Sequence, residues 1–584
     1  MVAVSARGNR RRRRWLIATV IVAVVAVWAL VLGVKTLSAY HHDRDGLAAL
    51  EQIKANLTPG QLTSSATERV LDQASAQFAS AHADLSSPFF APVTVIPVIG
   101  RQFRAIRALG TAAGTVSQVG STFLSEVTGL LNQPHSAGPE RVASLRQLGA
   151  YSLSAERQLV AVDTGPSQAL VAPLASKRNE FVTQLNDARL RLVKAAGVSA
   201  AVATILQGPQ NYVVLASNNA EMRAGSGTYL EVGTATTSGG SVTLSDLSPS
   251  GDHTLPVGAV SVTGDLQRNW GWLHPSLDMR NLGLTPQFDV TAPLAARMWT
   301  ASTGQQVDGV IALDVVGISQ LLDATGPVQS DGRTFTAGNV EQFLLHDQYA
   351  GLNGESAITN NRQDDLGDLA GAVLNQLQGQ STDLKTLANA VSSAVAGRHL
   401  MIWSKNPVDQ AAWVVSGVSG SLTNRSVDVS LINVGGNKLD QFIAIHVALS
   451  TKPVGSNTEV SLTAQLANTT PPGQSQYIAG PFPGVPVAYG GYYGLVAANL
   501  PAAASDITMV GGGPLAVKGG EGPTWVVGAP LTIPAGSDPT VVVRFQMPGP
   551  HGSMTVVPSA RVPAEVWTAN GRTFDDSMPT TITW

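Results

Sequence analysis

The spacing of apolar residues changes three times along the chain. From residue 43 to about 200, Leu47, Leu50, Ile53 and Leu57 recur at intervals of three or four, and Val70 with Leu71, Phe78 and Leu85 at seven or eight. That rhythm predicts helices that bury one stripe. The stretch "SSPFFAPVTVIPVIG" at 86–100 interrupts it with three prolines, which deny a continuous helix and predict a bend. Its apolar residues are too few and too broken to span a bilayer, so it reads as a packed helix-helix connection or as a patch dipping into the outer leaflet.

Between about 205 and 415 strand and helix patterns alternate. "NYVVLAS", "GTYLEVGTAT" and "DGVIALD" read as strands, whereas "TAPLAARMWTAST", "VVGISQLLDAT" and "DDLGDLAGAVLNQL" read as helices. The alternation predicts an α/β domain, a mixed sheet covered by helices. From 425 to 584 the helical rhythm stops, and short runs such as "SVDVSLIN", "EVSLTAQLAN" and "PTVVVRFQMP" lie between Gly, Pro and Asn. These predict a C-terminal β-sandwich.

The first residues set the compartment. Arg7 and five consecutive arginines at 10–14 precede a charge-free stretch at 15–34. Twenty apolar residues at about 1.5 Å each cross the roughly 30 Å of a bilayer core, and the arginines are expected to stay cytoplasmic. A cleaved signal peptide has a shorter apolar region and a small-x-small site, which "VKTLSAYHHD" does not offer. The chain is therefore expected to be multidomain: a basic tip at 1–14, a transmembrane signal anchor at 15–36, a helical stalk at 43–200, the α/β domain at 205–415 and the sandwich at 425–584. Everything after Tyr40 is expected outside the cytoplasm. The basic run lies against the anchor, so no nucleic-acid partner is expected.

Composition adds little against this plan. The 584 residues are 44% hydrophobic and 13% charged with a net charge of −3, which suits a folded chain of more than one core. The absence of cysteine removes disulfides and thiolate metal sites, and no metal or other cofactor is expected. No H-E-x-x-H, G-x-S-x-G or Walker loop is present, so catalytic residues stay unassigned.

Candidate chemistry concentrates where the first predicted strand ends. In "NYVVLASNNAEMRAGSGTYLEV", Asn218, Asn219, Glu221 and Arg223 fall at the rim of the predicted sheet, the favoured place for ligands in open α/β folds. Arg223 could fork onto a phosphate or carboxylate, and Glu221 could accept a proton, hold a cation or fix that arginine, or the two could form a structural pair bracing the turn. In "TNNRQDDLGDLAGAVL", Asn361 and the acids fit helix capping, but Arg362 sits where a helix disfavours cations unless an anion is near. Asp308 and Asp314 flank a predicted strand as turn and cap residues, and Asp289 is a cap or a site residue.

Together, "NYVVLASNNAEMRAGSGTY", "TPQFDVTAPLAARMWTASTGQQVDGVIALD", "NNRQDDLGDLAGAVL", "GRHLMIWSKNPVDQ" and "LINVGGNKLDQF" resemble the domain-of-unknown-function 4012 family over most of residues 45–560. These are bacterial envelope proteins with a basic cytoplasmic tip and one anchor. More distantly, "NYVVLASNNAEMR", "VDGVIALDVVGISQLLDATGPV" and "NNRQDD" are similar to the LytR-CpsA-Psr phosphotransferases, which move glycopolymers from polyprenyl pyrophosphate to the cell wall. That resemblance implies that Arg223 and Arg362 face pyrophosphate. Thr359 stands where that pattern has a further arginine, and "LSPSG" where it has a proline-arginine-aspartate turn. The expected function is binding or transfer of a lipid-pyrophosphate-linked glycan or cell-wall polymer; the competing reading is a non-catalytic envelope scaffold.

Overall fold

A computed structural model describes Lys35, Ser38, His42 and residues 65–133, 138–354, 365–379 and 384–584. The basic tip, the expected anchor apart from Lys35, and Arg362 lie outside the described residues. The chain forms two compact units, Met1–Gln133 with Gln147–Ala196, and Pro134–Arg146 with Gly197–Trp584.

Long helices build the first unit: α1 (Ser65–Leu85), α2 (Pro97–Leu131), and most of α3 (Pro139–Val160) and α4 (Ala172–Gln207). Small residues let them approach closely. Ala74 and Phe78 of α1 pack against Ala113, and Val119 of α2 meets Ala155, Leu159 and Leu185. The predicted break between α1 and α2 holds a 3₁₀ turn at Pro88–Phe90 and one helical turn at Ala91–Thr94, and Pro97 opens α2. Proline suits that first position, where its missing N–H is not needed.

Among the described residues, α4 is the one helix long and apolar enough to cross a membrane by length and composition. Its last turns have another explanation. Val198, Ala201, Val202 and Ile205 cover Trp413 and Val418 of the second unit, so this end is apolar because it is packed.

The second unit holds a mixed sheet formed by β1 (Gln210–Met222), β2 (Gly227–Ser238), β3 (Ser241–Leu244), β4 (Gly309–Asp314) and β5 (Leu400–Ser404), in the order β3-β2-β1-β4-β5. A short strand at Ser248–Pro249 adds to β2. β1 runs antiparallel to β2 and parallel to β4, which is reached through α5 (Phe288–Thr303). The strand period of two divides β1 between two cores. Val213 and Leu215 pack with Trp270, Phe288 and Met298, while Val214 and Ala216 pack under α6 (Val315–Thr325), α7 (Val340–Leu345) and α8 (Asp365–Gly379).

Beyond residue 425 lie β6 (Ser426–Asn433), β7 (Ile443–Val454), β8 (Asn457–Asn468), β9 (Tyr492–Pro501), β10 (Ser505–Val510), β11 (Val517–Glu521), β12 (Thr524–Ile533), β13 (Thr540–Pro548), β14 (Ser553–Val556), β15 (Val566–Ala569), β16 (Arg572–Asp575) and β17 (Thr580–Thr583). They form two six-stranded sheets, β10-β13-β8-β7-β15-β16 and β11-β12-β9-β6-β14-β17. One apolar core lies between them, with Val427, Val429 and Leu431 of β6 facing Ile445, Val447, Leu462 and Phe545. The second sheet is covered on its other side as well: Ile432 of β6, Leu495 and Ala497 of β9 and Val526 of β12 join the core around Trp270 and Phe288. Every residue of β6 is consequently buried.

Candidate functional site

β1 and β4 end at the same edge, and the sequence-predicted residues cluster there. After Asn218, paired with Thr228, the next pair is Met222 with Gly227, so residues 219–221 bulge from the ladder. A bulge re-aims side chains that regular alternation would place on the two faces. Gly227 makes it feasible: a Cβ there would lie 2.3 Å from the Asn218 carbonyl.

Each asparagine is fully engaged inside the protein. Asn218 Nδ2 donates to the Leu344 carbonyl at 3.0 Å and the Tyr349 hydroxyl at 2.8 Å, and its Oδ1 accepts from Ala220 N at 2.9 Å. Asn219 Nδ2 donates to Asp314 Oδ2 and to the Ala560 carbonyl, both at 2.8 Å. Asp314 caps α6 by accepting from Gly317 N at 2.9 Å, as its position after a predicted strand implied. Its Oδ2 also lies 2.8 Å from His399 Nδ1. Burial pushes the imidazole pKa down, but the buried Asp314 carboxylate outweighs this and holds it above its ordinary value.

Glu221 carries the strongest electrostatics. Its Oε2 accepts from Lys438 Nζ at 2.7 Å and its Oε1 from Arg223 Nη2 at 3.4 Å. Burial alone would raise the carboxyl pKa; Lys438 and then Arg223 reverse that and lower it to about 2. Lys438, only 2% exposed at its side chain, sits 5.5 Å and 5.9 Å from the stacked rings of Tyr349 and Tyr477. Such aromatic faces favour a desolvated ammonium.

Arg223 has four internal acceptors. Nε donates to the Arg280 carbonyl at 3.0 Å, Nη1 to the carbonyls of Asn433 at 2.7 Å and Met222 at 3.2 Å, and Nη2 to Glu221. Next to it, Asp440 accepts from Met222 N at 2.9 Å, Asn433 Nδ2 at 2.9 Å, Tyr492 Oη at 3.2 Å and Arg561 Nη1 at 2.9 Å. The sheet edge where an open α/β fold presents ligands is thus filled by the 433–442 loop and by 559–561. Glu221 stays ionised across the ordinary pH range, so it is a charge anchor and not a proton donor.

The structure brings Asn218, Asn219, Glu221 and Arg223 to one edge, while Arg362 lies outside the described residues. It adds Lys438, Asp440, His399 and Arg561, which sequence reasoning did not place there, and joins them to Asp314, the expected cap. The signal was present in "GGNKLDQF" and "GRHL". Read locally, however, a lysine and an aspartate in a glycine-rich loop look like solvated turn residues. Asp289 is not the cap of α5, since Gln287 holds that position; its Oδ2 accepts from Ser421 Oγ at 2.7 Å. Asp308 accepts from Asn211 N at 2.8 Å.

An open groove of about 580 Å³ lies at the opposite edge, before β4 and after β5. Pro293, Ala296, Val307 and Trp403 form apolar walls, and Arg297 and Lys405 stand in its lining. Among the described residues neither cation pairs with a carboxylate. No group of acids and histidines able to hold a metal ion occurs among the described residues.

No curated protein and no solved structure matches the chain. A family model does match, over 207–349 and not over most of 45–560, so "NNRQDD", "GRHL" and "GGNKLDQF" fall beyond it. The matched segment runs from the start of β1 to Tyr349 and contains Asn218, Asn219, Glu221, Arg223 and Asp314. Residues 207–349 match the model of the family described as protein of unknown function (DUF4012).

Proposed function

We propose that this chain is a single-pass, membrane-anchored protein of the cell envelope whose extracytoplasmic part, an α/β domain joined to a β-sandwich, is a non-catalytic scaffold. The arginine run and the charge-free stretch at 15–34 support the anchor and its orientation. One observation carries the scaffold reading: among the described residues the cations at the carboxyl edge of β1, Arg223, Lys438 and Arg561, are consumed by Glu221, Asp440 and backbone carbonyls. Phosphoryl transfer needs guanidinium or metal charge free to meet the transferring group. The test is turnover of a polyprenyl-pyrophosphate-linked glycan by full-length protein in vesicles. No transfer is expected; transfer lost in Arg223→Lys at unchanged folding would overturn the reading.

A second reading rests on the groove. If the protein binds a lipid-pyrophosphate-linked glycan, the unpaired Arg297 and Lys405 beside apolar walls suit an anionic amphiphile better than the filled edge does. Arg297→Gln with Lys405→Gln should then abolish retention of the lipid-linked glycan, with Arg223→Ala showing only a stability loss. Equal retention by the groove variant and the unaltered chain removes this reading.

A further inference from the structure

The bend between α1 and α2 exposes Val95, Ile96, Val98 and Ile99, at 79%, 43%, 69% and 55%. Four adjacent apolar residues this open are unusual on a surface bathed in water. The tip is not a loose loop. Phe90 stacks on Phe103 with centroids 4.6 Å apart, Arg104 Nη1 donates to the Thr94 carbonyl at 2.9 Å, and a Cβ on Gly100 would meet that same carbonyl oxygen at 2.4 Å. The turn is therefore held in a shape that presents these side chains outward. Arg101 and Arg107 follow within three turns and pair with no carboxylate among the described residues.

A second observation gives this patch its partner. Lys35, the first charged residue after the 15–34 stretch, forms an ion pair of 2.5 Å with Asp84. Seven residues later in sequence, His42 Nδ1 lies 2.6 Å from Gln77 Oε1, about two turns before Asp84 on α1. Asp84 is two residues from the bend. Lys35 and the apolar tip of the hairpin are thus at one level of the first unit.

We propose that the 95–99 tip inserts into the outer leaflet of the membrane that the 15–34 segment crosses, with Arg101 and Arg107 meeting anionic lipid headgroups. This rests on the anchored reading given above. An amphipathic element of this kind sits about 5–10 Å into the headgroup and acyl boundary, and basic residues beside it favour anionic lipid. The hairpin becomes a second contact with the bilayer, beside the anchor.

The chain has no cysteine, so single substitutions label one site each. Full-length protein carrying Val98→Cys, Val24→Cys or Val257→Cys would bear an environment-sensitive fluorophore in vesicles of phosphatidylcholine and phosphatidylglycerol. Nitroxide lipids would serve as quenchers; Val257 is 84% exposed in the second unit and serves as the water reference. The Val98 probe should be blue-shifted and quenched best by nitroxides near the headgroup, and the Val24 probe by those near the chain ends. Quenching at Val24 with Val98 behaving like Val257 overturns the insertion and leaves the anchor standing. No quenching at Val24 overturns the anchored reading itself. Replacing Arg101 and Arg107 by Gln should weaken the phosphatidylglycerol-dependent part of the Val98 signal by roughly fivefold per arginine. A signal unchanged by that replacement removes the role given to the two arginines.

Discussion

Replacing Lys438 by Met tests the electrostatic account of the filled edge. The substitution keeps most of the volume but takes from Glu221 the cation at 2.7 Å, leaving Arg223 at 3.4 Å. The fall of the Glu221 pKa from an ordinary 4.5 to about 2 corresponds to about 3 kcal/mol of stability at neutral pH. Removing one partner of a buried pair costs about 3–5 kcal/mol, because the remaining charge stays desolvated. The two figures agree. Since the folded pKa is depressed, this stability is complete above about pH 4.5 and disappears as pH falls through about 2. Lys438→Met should therefore lose about 3 kcal/mol at pH 7 in urea unfolding and flatten the acid limb. Hydrogen exchange should rise in residues 218–223 and 433–442, which share the network. The double variant Glu221→Gln with Lys438→Met should recover part of the loss, because no uncompensated carboxylate remains. A single variant within about 0.5 kcal/mol of the unaltered chain, with an unchanged acid limb, would refute the reasoning.

Three further outcomes follow from other buried groups. His399 has a raised pKa, so its ion pair with Asp314 stabilises the fold below the unfolded value near 6.5 and is lost as pH rises through the folded value; thermal unfolding of His399→Gln should lack that alkaline decline. Asp428, pushed up to about 7 by burial, is protonated in the fold where the unfolded chain is ionised, so stability drops between about 3.8 and 7. Asp428→Asn should be more stable at pH 8, by at most ~4 kcal/mol on denaturant titration, and equal at pH 3. Trp413→Ala empties the pocket that receives Ala201 and Val418 and should cost about 3–5 kcal/mol, with hydrogen exchange rising in the last turns of α4.

The sequence was most legible where one physical signal ruled. The short apolar run bounded by polar residues in "NYVVLAS" and the period near 3.6 in "VVGISQLLDAT" name their elements, and Asp314 follows its strand in the place of a cap. β9, "YYGLVAANLP", was not read as a strand because it is apolar on both sides and shows no alternation; two cores claim it. Asn218, Asn219, Glu221 and Arg223 do converge, as chain proximity on one strand end requires. Their partners were illegible for a different reason. Lys438 and Asp440 lie more than 200 positions downstream, and only tertiary contact distinguishes an ammonium stacked on Tyr349 from one in water. Even with Glu221 and Arg223 in hand, the sequence alone could not tell an arginine open to a phosphate from one spent on the Asn433 carbonyl.

β6 lies between two oily layers, and this limits how the chain can be cut. Severing it near residue 420 would strip Ile432, Leu495, Ala497 and Val526 of the cover that Trp270 and Phe288 give them. The piece released would carry a sticky sheet face into solution and clump, so the α/β sheet and the strands beyond 425 have to be made and purified as one block.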